Sequence, residues 1–114
     1  MLEKALESEI VKVLDAYIAK IRPPENIRPQ LDIGYKIDGQ NVFMLEIRPR
    51  IDKPDEKMEI EVAKTTFVKA NNHWKIFWMR ASLKWESYQP KPIAKSIKEF
   101  IKVIEKDEFG CFWG

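Results

Sequence analysis

A strand-like stretch that ends in Asp38-Gly39 does most to limit the folds open to this chain. Apolar residues fill every second position before it, at Leu31, Ile33, Tyr35 and Ile37. That period of two is typical of a strand with one buried face. Asp-Gly suits the two-residue type I′ turn of a β-hairpin, because glycine takes a positive φ without strain. The predicted register pairs Ile37 with Gln40, Tyr35 with Val42, and Ile33 with Met44.

Amphipathic helical patterns flank this block of strands. The first has apolar residues at helical spacing, at Leu2, Leu6, Ile10, Leu14, Tyr17 and Ile21. Arg22-Pro23-Pro24 ends it, because the residue before a proline is kept out of the α region. The second runs from about Pro92 to Lys106, with apolar positions Ile93, Ile97, Phe100, Ile101 and Ile104. We therefore predict an α+β fold: a helix, about five antiparallel strands in a meander, and a second helix, forming one domain over residues 1–114.

Two further turns complete the predicted meander. Asn71-Asn72 can form the second turn, because asparagine tolerates positive φ, and Ser82-Leu83 can form the third. The predicted pairs are Phe67 with Ile76, Thr65 with Trp78, Ala63 with Arg80, and Arg80 with Trp85. One face of the sheet then collects Phe67, Trp74, Ile76, Trp78, Arg80 and Trp85, and the other collects Lys64, Val68, Lys75, Phe77, Met79, Lys84 and Tyr88. The first face is richer in large apolar groups, so we expect both helices to cover it, with a cation–π contact between Arg80 and Trp85.

Composition narrows the classes of protein. The formal net charge of +2 and the pI near 8.6 are too mild to require a nucleic-acid partner. Cys111 is the only cysteine, which excludes an intramolecular disulfide and fits a reducing compartment. Together with His73 it supplies two possible metal ligands, fewer than zinc needs, so no metal or other cofactor is predicted. The sequence has neither the apolar core of a secretory signal nor a membrane-spanning apolar run, so a cytoplasmic protein without membrane contact is expected.

The stretch from Val62 to Trp85 contains no acidic residue, five basic residues and three of the four tryptophans. The candidate binding residues in this stretch, together with Tyr88 just beyond it, share one predicted face: Lys64, Lys75, Phe77, Lys84 and Tyr88. Faces of this kind hold single-stranded nucleic acid by stacking bases on aromatic rings and neutralising phosphates with lysine. A solvated lysine-bearing face, or a face covered by a second copy of the chain, would give the same pattern.

The segment Glu46-Ile-Arg-Pro-Arg50 places two arginines on the same side of an extended backbone. Their guanidinium groups could clamp phosphate or carboxylate oxygens. Alternatively, one of the two arginines, Arg48 or Arg50, forms an ion pair with Glu46 or with the acidic segment 52–61. Asp32, Glu46 and Arg48 also loosely match the acid and acid-x-lysine pattern of metal-dependent nucleases. Against that interpretation, arginine cannot act as a base, and the predicted hairpin puts Asp32 and Glu46 on opposite faces.

The C-terminal residues Phe109, Phe112 and Trp113 are too apolar for a free tail. We expect them to fold back and plug the sheet. An exposed aromatic hook for a partner is the alternative.

Several segments resemble a family of small bacterial proteins known only as a domain of unknown function. The resemblance runs from about Arg22 to Gly114 and rests on Tyr35, Glu46-Ile-Arg-Pro-Arg50, Ala63-Lys64, Trp74, Trp78-x-Arg80-Ala81, Leu83-Lys84-Trp85, Tyr88 and Phe112-Trp113-Gly114. It implies a complete single-domain protein and brings no known activity, cofactor or partner.

Together these residues favour a non-enzymatic binding or adaptor domain. Its binding surface would be the basic and aromatic face of the sheet, with candidate contacts Arg48, Arg50, Lys64, Lys75, Lys84 and Tyr88. The partner is left open between another protein, a second copy of the chain in a homodimer, and nucleic acid bound weakly. The alternative is a metal-dependent phosphoesterase or nuclease-like enzyme acting around Asp32, Glu46 and Arg48.

Overall fold

A six-stranded antiparallel sheet with both helices on one face makes up the computed structural model, which describes residues 2–113. The elements in chain order are α1 (Lys4–Ile21), β1 (Asp32–Asp38), β2 (Asn41–Pro49), β3 (Lys57–Val68), β4 (His73–Met79), β5 (Trp85–Ser87), β6 (Ile93–Ala94) and α2 (Ile97–Lys106). Strands β1 to β5 neighbour one another in sequence order, and β6 pairs with β4 beside β5. The predicted α+β meander between two helices is confirmed. Neither helix in this part of the chain is long and apolar enough to cross a membrane.

The start of α2 differs from the prediction. Residues near Pro92 do not open the helix, because Ile93 and Ala94 extend as β6 and pair with Lys75 and Trp74. The helix instead begins after Ser96, whose hydroxyl accepts a hydrogen bond from the backbone N–H of Glu99 at 3.1 Å. A serine in this position satisfies one of the free N–H groups of the first turn, so it fixes where the helix starts.

The main core lies between one face of the sheet and the two helices. Its fully buried members include Ile10 and Leu14 of α1, Phe100 and Ile104 of α2, and Val42, Met44, Ala63 and Ile76 of the sheet. Trp74 is buried in the same cluster, and Phe67 and Trp78 pack against it. These positions alternate along β2, β3 and β4, as expected for strands that turn one face to a core. The predicted helix-covered face is confirmed for these residues.

The first two hairpins keep their predicted faces but not their predicted registers. The β1–β2 turn consists of Gly39 and Gln40, so that Asp38 pairs with Asn41. The β3–β4 turn is a short 3₁₀ segment, Lys69–Asn71, followed by Asn72 in the left-handed region, and Phe67 pairs with Trp74 rather than Ile76 as predicted. Each turn is displaced by one residue, which moves every partner by two positions. Since side chains alternate with a period of two, the faces are unchanged.

The β4–β5 turn is different, because there the predicted faces are wrong. Trp85 pairs with Met79 instead of Arg80, leaving a five-residue loop that Leu83 closes with a φ of 63°. A shift of one position in the pairing transfers the following side chains to the other face. Trp85 therefore lies on the face opposite the helices, and Tyr88 lies on the helix side, the reverse of the prediction. The expected cation–π contact between Arg80 and Trp85 is also wrong, since Arg80 Nε lies 3.1 Å from Glu86 Oε2.

A substitution of Gly39 tests the conformation of the β1–β2 turn. Its φ is +62°, and a Cβ built there would meet nothing within 4 Å, so a substitution would be resisted by backbone strain alone. Gly39→Val is expected to lower the free energy of unfolding by about 1 kcal/mol or more, because a β-branched residue resists positive φ. Urea denaturation followed by circular dichroism measures the loss. Gly39→Asn should keep most of the stability, and equal losses in the two variants would contradict this account of the turn.

The C-terminal segment folds back onto the molecule. Asp107 ends α2 in the left-handed region, and its carboxylate accepts hydrogen bonds from the backbone N–H groups of Phe112 at 3.1 Å and Trp113 at 2.9 Å. Phe112 is buried with its ring 4.8 Å from that of Tyr88, and Trp113 packs against the core. The predicted plug is confirmed for these two residues. It is wrong for Phe109, which is 62% exposed.

A buried tyrosine makes stability fall at alkaline pH. Burial, with a smaller effect from the negative charge of Glu105, raises the pKa of Tyr17 from 10.0 to about 12. In the unfolded chain the phenol ionises near its ordinary pKa, so between those values the unfolded state loses a proton that the folded state keeps. The free energy of unfolding should therefore fall by roughly 1 kcal/mol between pH 9 and pH 11 through Tyr17 alone. Urea midpoints of wild type and Tyr17→Phe at both pH values measure it. An equal pH dependence in the two proteins would contradict the assignment.

Candidate functional site

The face of the sheet opposite the helices, here called the open face, carries a row of alternating cations and rings. Lys36 of β1, Phe43 of β2, Lys64 of β3, Phe77 of β4 and Ser87 of β5 are successive cross-strand partners. Cross-strand partners bring their side chains close together on one face. The row therefore runs across five strands as one continuous surface.

Lys64 lies at the centre of this row and touches two rings. Its Nζ is 4.5 Å from the centroid of Phe77 and 5.3 Å from that of Trp85. Lys36 Nζ similarly lies 5.2 Å from the centroid of Phe43. Each contact falls within the distance at which a ring quadrupole attracts a cation. Burial lowers the pKa of Lys64, and the nearby carboxylate of Glu61 opposes that shift.

The aromatic rings of the open face differ in how much of their surface is exposed to solvent. Phe43 is only 9% exposed, because Lys36 lies over it and the ring of Trp85 lies 6.0 Å away. Phe77 and Trp85 keep part of their surface open to solvent. These two rings lie on neighbouring strands, each within 5.3 Å of the Lys64 ammonium, and are the available stacking surfaces.

The candidate cations fall into two groups according to their ion pairs. Among residues 2–113, no carboxylate lies within 4.0 Å of the ammonium groups of Lys64, Lys75 and Lys84. Lys36, by contrast, lies 2.8 Å from Glu61. Lys75 is exposed on the open face two positions from Phe77. Lys84 was predicted on the same face, but it lies exposed in the β4–β5 loop instead.

Both arginines of the Glu46–Arg50 segment are engaged by acids. Arg48 Nη2 lies 3.3 Å from Glu46 Oε1. Arg50 makes two hydrogen bonds to the Asp52 carboxylate, at 3.1 and 2.9 Å, and a third to Glu56 at 3.3 Å. This is the ion-pair alternative drawn from the sequence. A clamp for a ligand would have to replace these bonds, and it stays a prediction.

The residues of the phosphoesterase alternative do not converge. Asp32 pairs with Ile47, one position beyond the pair of Ile33 with Glu46, so Asp32 and Glu46 point to opposite faces of the sheet. Arg22 donates two hydrogen bonds to the Asp32 carboxylate, at 2.8 and 2.7 Å, and lowers its pKa. Residues 2–113 contain no cluster of three His, Cys, Asp or Glu side chains suited to a metal ion.

Of the residues predicted to share one face, Lys64 and Lys75 lie on the open face and Tyr88 does not, and the rings of Phe43 and Trp85 lie there as well. Tyr88 is 3% exposed and packs on Phe112 on the helix side; burial raises the pKa of its phenol. Phe43 and Trp85 were missed on the open face. The predicted faces of β2 already separate Phe43 from Met44, whereas Trp85 can be placed only with the correct register of β4 and β5.

The comparison with protein families places the whole described chain in one of them. The family described as "Domain of unknown function (DUF3024)" matches residues 2–114, and the chain belongs to it. Searches of curated proteins and of solved structures gave no match.

Proposed function

We propose that this member of the DUF3024 family is a non-enzymatic binding module that holds single-stranded nucleic acid on the open face of its sheet. The observation that carries the proposal is that the Lys64 ammonium lies close to two partly exposed rings, 4.5 Å from the centroid of Phe77 and 5.3 Å from that of Trp85. A ligand suited to this surface has flat groups for the rings and negative charge for the lysines. Single-stranded nucleic acid offers both in a regular alternation.

The lysines of the open face are suited to neutralising the phosphates of a nucleic-acid backbone. Lys64 and Lys75 are diagonal neighbours on β3 and β4, so their Cα atoms lie about 7–8 Å apart. Neither forms an ion pair with the chain itself among the described residues. Each can therefore neutralise a phosphate without first breaking a salt bridge. The exposed ammonium of Lys84 in the neighbouring loop supplies a third contact at the edge of the sheet.

The experiment is a titration of the protein into a fluorescently labelled single-stranded oligonucleotide, followed by anisotropy at several salt concentrations. With three lysine–phosphate contacts, the logarithm of the association constant should fall with the logarithm of salt with a slope of roughly −2. Lys75→Ala should weaken binding and make the slope shallower by about 0.7. Phe77→Leu should weaken binding while leaving the slope unchanged, because stacking releases no counterions.

Lys102→Ala is the matched control, because Lys102 is an exposed residue of α2 on the other side of the molecule. Its affinity and slope should equal those of wild type. Absence of binding at low salt would overturn the proposal. Equal losses in Lys75→Ala and Lys102→Ala would also contradict it, since binding would then depend on net charge alone. Self-association in sedimentation experiments that Phe77→Leu abolishes would assign the open face to a second copy of the chain.

A further inference from the structure

We propose that two copies of this chain pair along the free edge of β1 and form a homodimer. Strand β1 (Asp32–Asp38) has a neighbouring strand on one side only, so its other side is an edge of the sheet. In the proposed dimer the two edges run antiparallel across a two-fold axis, and the two six-stranded sheets become one continuous sheet. The contact uses the strand edge rather than the open face, so it does not depend on the proposed nucleic-acid binding.

The hydrogen bonds of β2 show which backbone groups lie on that edge. The carbonyl of Gln40 accepts from the N–H of Phe67, at the end of the β2–β3 ladder. The following residue, Asn41, therefore turns its backbone groups towards β1, where its partner is Asp38. Bonded and non-bonded pairs alternate along an antiparallel ladder, and the β1–β2 register runs without a shift. Counting back from Asp38, the residues of β1 that point their N–H and C=O groups away from β2 are Ile33, Tyr35 and Ile37.

Most of these outward groups have no partner within the chain. Among residues 2–113, the N–H of Ile33 donates to the carboxylate of Asp32 at 2.8 Å, and Tyr35 and Ile37 make no backbone hydrogen bond outside the sheet ladder. Proteins usually protect such an edge with a short strand, a proline, a bulge or a charge. Strand β1 has seven residues without a proline or a bulge, whereas the other side of the sheet ends in β5 and β6, of three and two residues. The edge of β1 is therefore the one that is open to pairing.

The charged side chains of β1 are held by partners within the chain. Lys36 Nζ lies 2.8 Å from Glu61 of β3 and 5.2 Å from the ring centroid of Phe43 of β2, so it reaches across the sheet and away from the edge. Asp32 accepts two hydrogen bonds from Arg22. A lysine on an edge strand ordinarily keeps other strands away. Because Lys36 points inward, the edge beside it stays accessible.

The order of residues along β1 suits a second copy of the same strand. A two-fold axis at Tyr35 sets Ile33 of one copy opposite Ile37 of the other. The N–H of Tyr35 then donates to the carbonyl of Tyr35 in the second copy, and the N–H of Ile37 donates to the carbonyl of Ile33, each bond being made twice. The side chains of these residues lie on the helix side and are partly exposed, so apolar groups meet apolar groups across the axis.

On the open face the same register is free of clashes. Gly34 lies opposite Lys36 of the second copy, and a glycine leaves room for the lysine stem. Asp32 lies opposite Asp38 of the second copy, and the ion pair of Asp32 with Arg22 offsets the repulsion between the two acids. An axis one residue further along would place the two copies of Lys36 opposite each other, where like charges repel. The charges therefore favour the first axis.

Sedimentation velocity of the full-length protein, with no nucleic acid present, tests the proposal over a range of concentrations. Wild type should approach twice the 13.5 kDa mass of one chain as the concentration rises. Ile37→Pro removes an N–H that only the dimer uses, and an edge strand tolerates proline where the N–H faces solvent. This variant should keep the circular dichroism of wild type and raise the dissociation constant of the dimer about tenfold or more, because the bond is lost on both sides of the axis. Ile37→Val keeps the N–H and should dimerise as wild type.

Amide hydrogen exchange locates the contact without a substitution, so it decides the question even if Ile37→Pro does not fold. The N–H groups of Tyr35 and Ile37 should exchange about tenfold or more slowly in the dimer than in dilute, monomeric protein. A wild type that stays monomeric, a folded Ile37→Pro protein that dimerises as wild type, or fast exchange of these two amides in the dimer would each overturn the proposal. Phe77→Leu changes only the open face and should leave the dimer intact. A dimer that is lost in Phe77→Leu would overturn the edge contact and assign self-association to the open face.

Discussion

Phe100→Ala is expected to lower the free energy of unfolding by about 3–5 kcal/mol, the largest loss expected from a single side chain here. Phe100 is fully buried at the centre of α2, in the cluster that joins both helices to the sheet. Truncation removes the transfer free energy of the ring and leaves a cavity that the packed neighbours, Ile104 among them, can fill only in part. Urea denaturation of wild type and variant, followed by circular dichroism, measures the difference.

The chain supplies a matched control nine residues further on. Phe109 is 62% exposed after the end of α2, and Phe109→Ala should change the free energy of unfolding by less than about 0.5 kcal/mol. Both variants make the same chemical change in the same C-terminal region. Similar losses at Phe100 and Phe109 would show that the helix side is not the principal core, and the assignment of the opposite face as the open one would fall with it.

The helices and the faces of β2, β3 and β4 follow from sequence periodicity, because burial on one side imposes it directly. Leu14 and Phe100 lie on helical stripes, and Met44 and Ile76 on strands with alternating apolar residues. An error of one residue in the position of a turn did not disturb these assignments. At the β1–β2 hairpin the turn moved from Asp38-Gly39 to Gly39-Gln40, which preserves the alternation.

The β4–β5 loop could not be predicted in the same way. It depends on Leu83 adopting a φ of 63°, and positive φ is uncommon for leucine, so the sequence does not predict it. The loop has five residues rather than the predicted tight turn, and that odd shift exchanged the faces of Trp85 and Tyr88. Local propensity was therefore overridden by packing, since Tyr88 gains a buried partner in Phe112 from the far end of the chain.

A β-bulge explains why the charge environment of the row was also missed. The pairing of β2 with β3 shifts between Met44 and Leu45, which leaves Val62 unopposed on β3. Lys64 and Glu61 are three residues apart, so regular alternation would put them on opposite faces, but the bulge turns Glu61 to the open face beside Lys36. Glu61, which directly precedes the basic run, therefore lies on the open face and forms an ion pair with Lys36. Lys64 is left without an ion pair among the described residues.

Lys64→Glu is expected to weaken oligonucleotide binding by about thirtyfold to a hundredfold at low salt, the largest effect expected on the open face. Lys64 lies at the centre of the row, so the substitution replaces an attraction for phosphate by a repulsion of phosphate, close to the two stacking rings. Glu61 is near enough to influence the pKa of Lys64 and would add to that repulsion. Anisotropy titrations at one low salt concentration measure the change.

Two further variants separate the charge of Lys64 from its packing and from the net charge of the protein. Lys102→Glu alters the net charge equally but lies on α2, away from the row, and should lower the affinity much less, because the Coulomb interaction between two charges weakens as the distance between them grows. Lys64→Met keeps an apolar stem over Phe77 and Trp85, so its thermal melting should stay close to that of wild type while its affinity still falls. A Lys64→Met protein that binds as wild type would show that the ammonium makes no contact with the ligand. Equal losses in Lys64→Glu and Lys102→Glu would mean that the field of the whole molecule, rather than the row, attracts the strand, because only a contact at the row depends on which lysine is reversed.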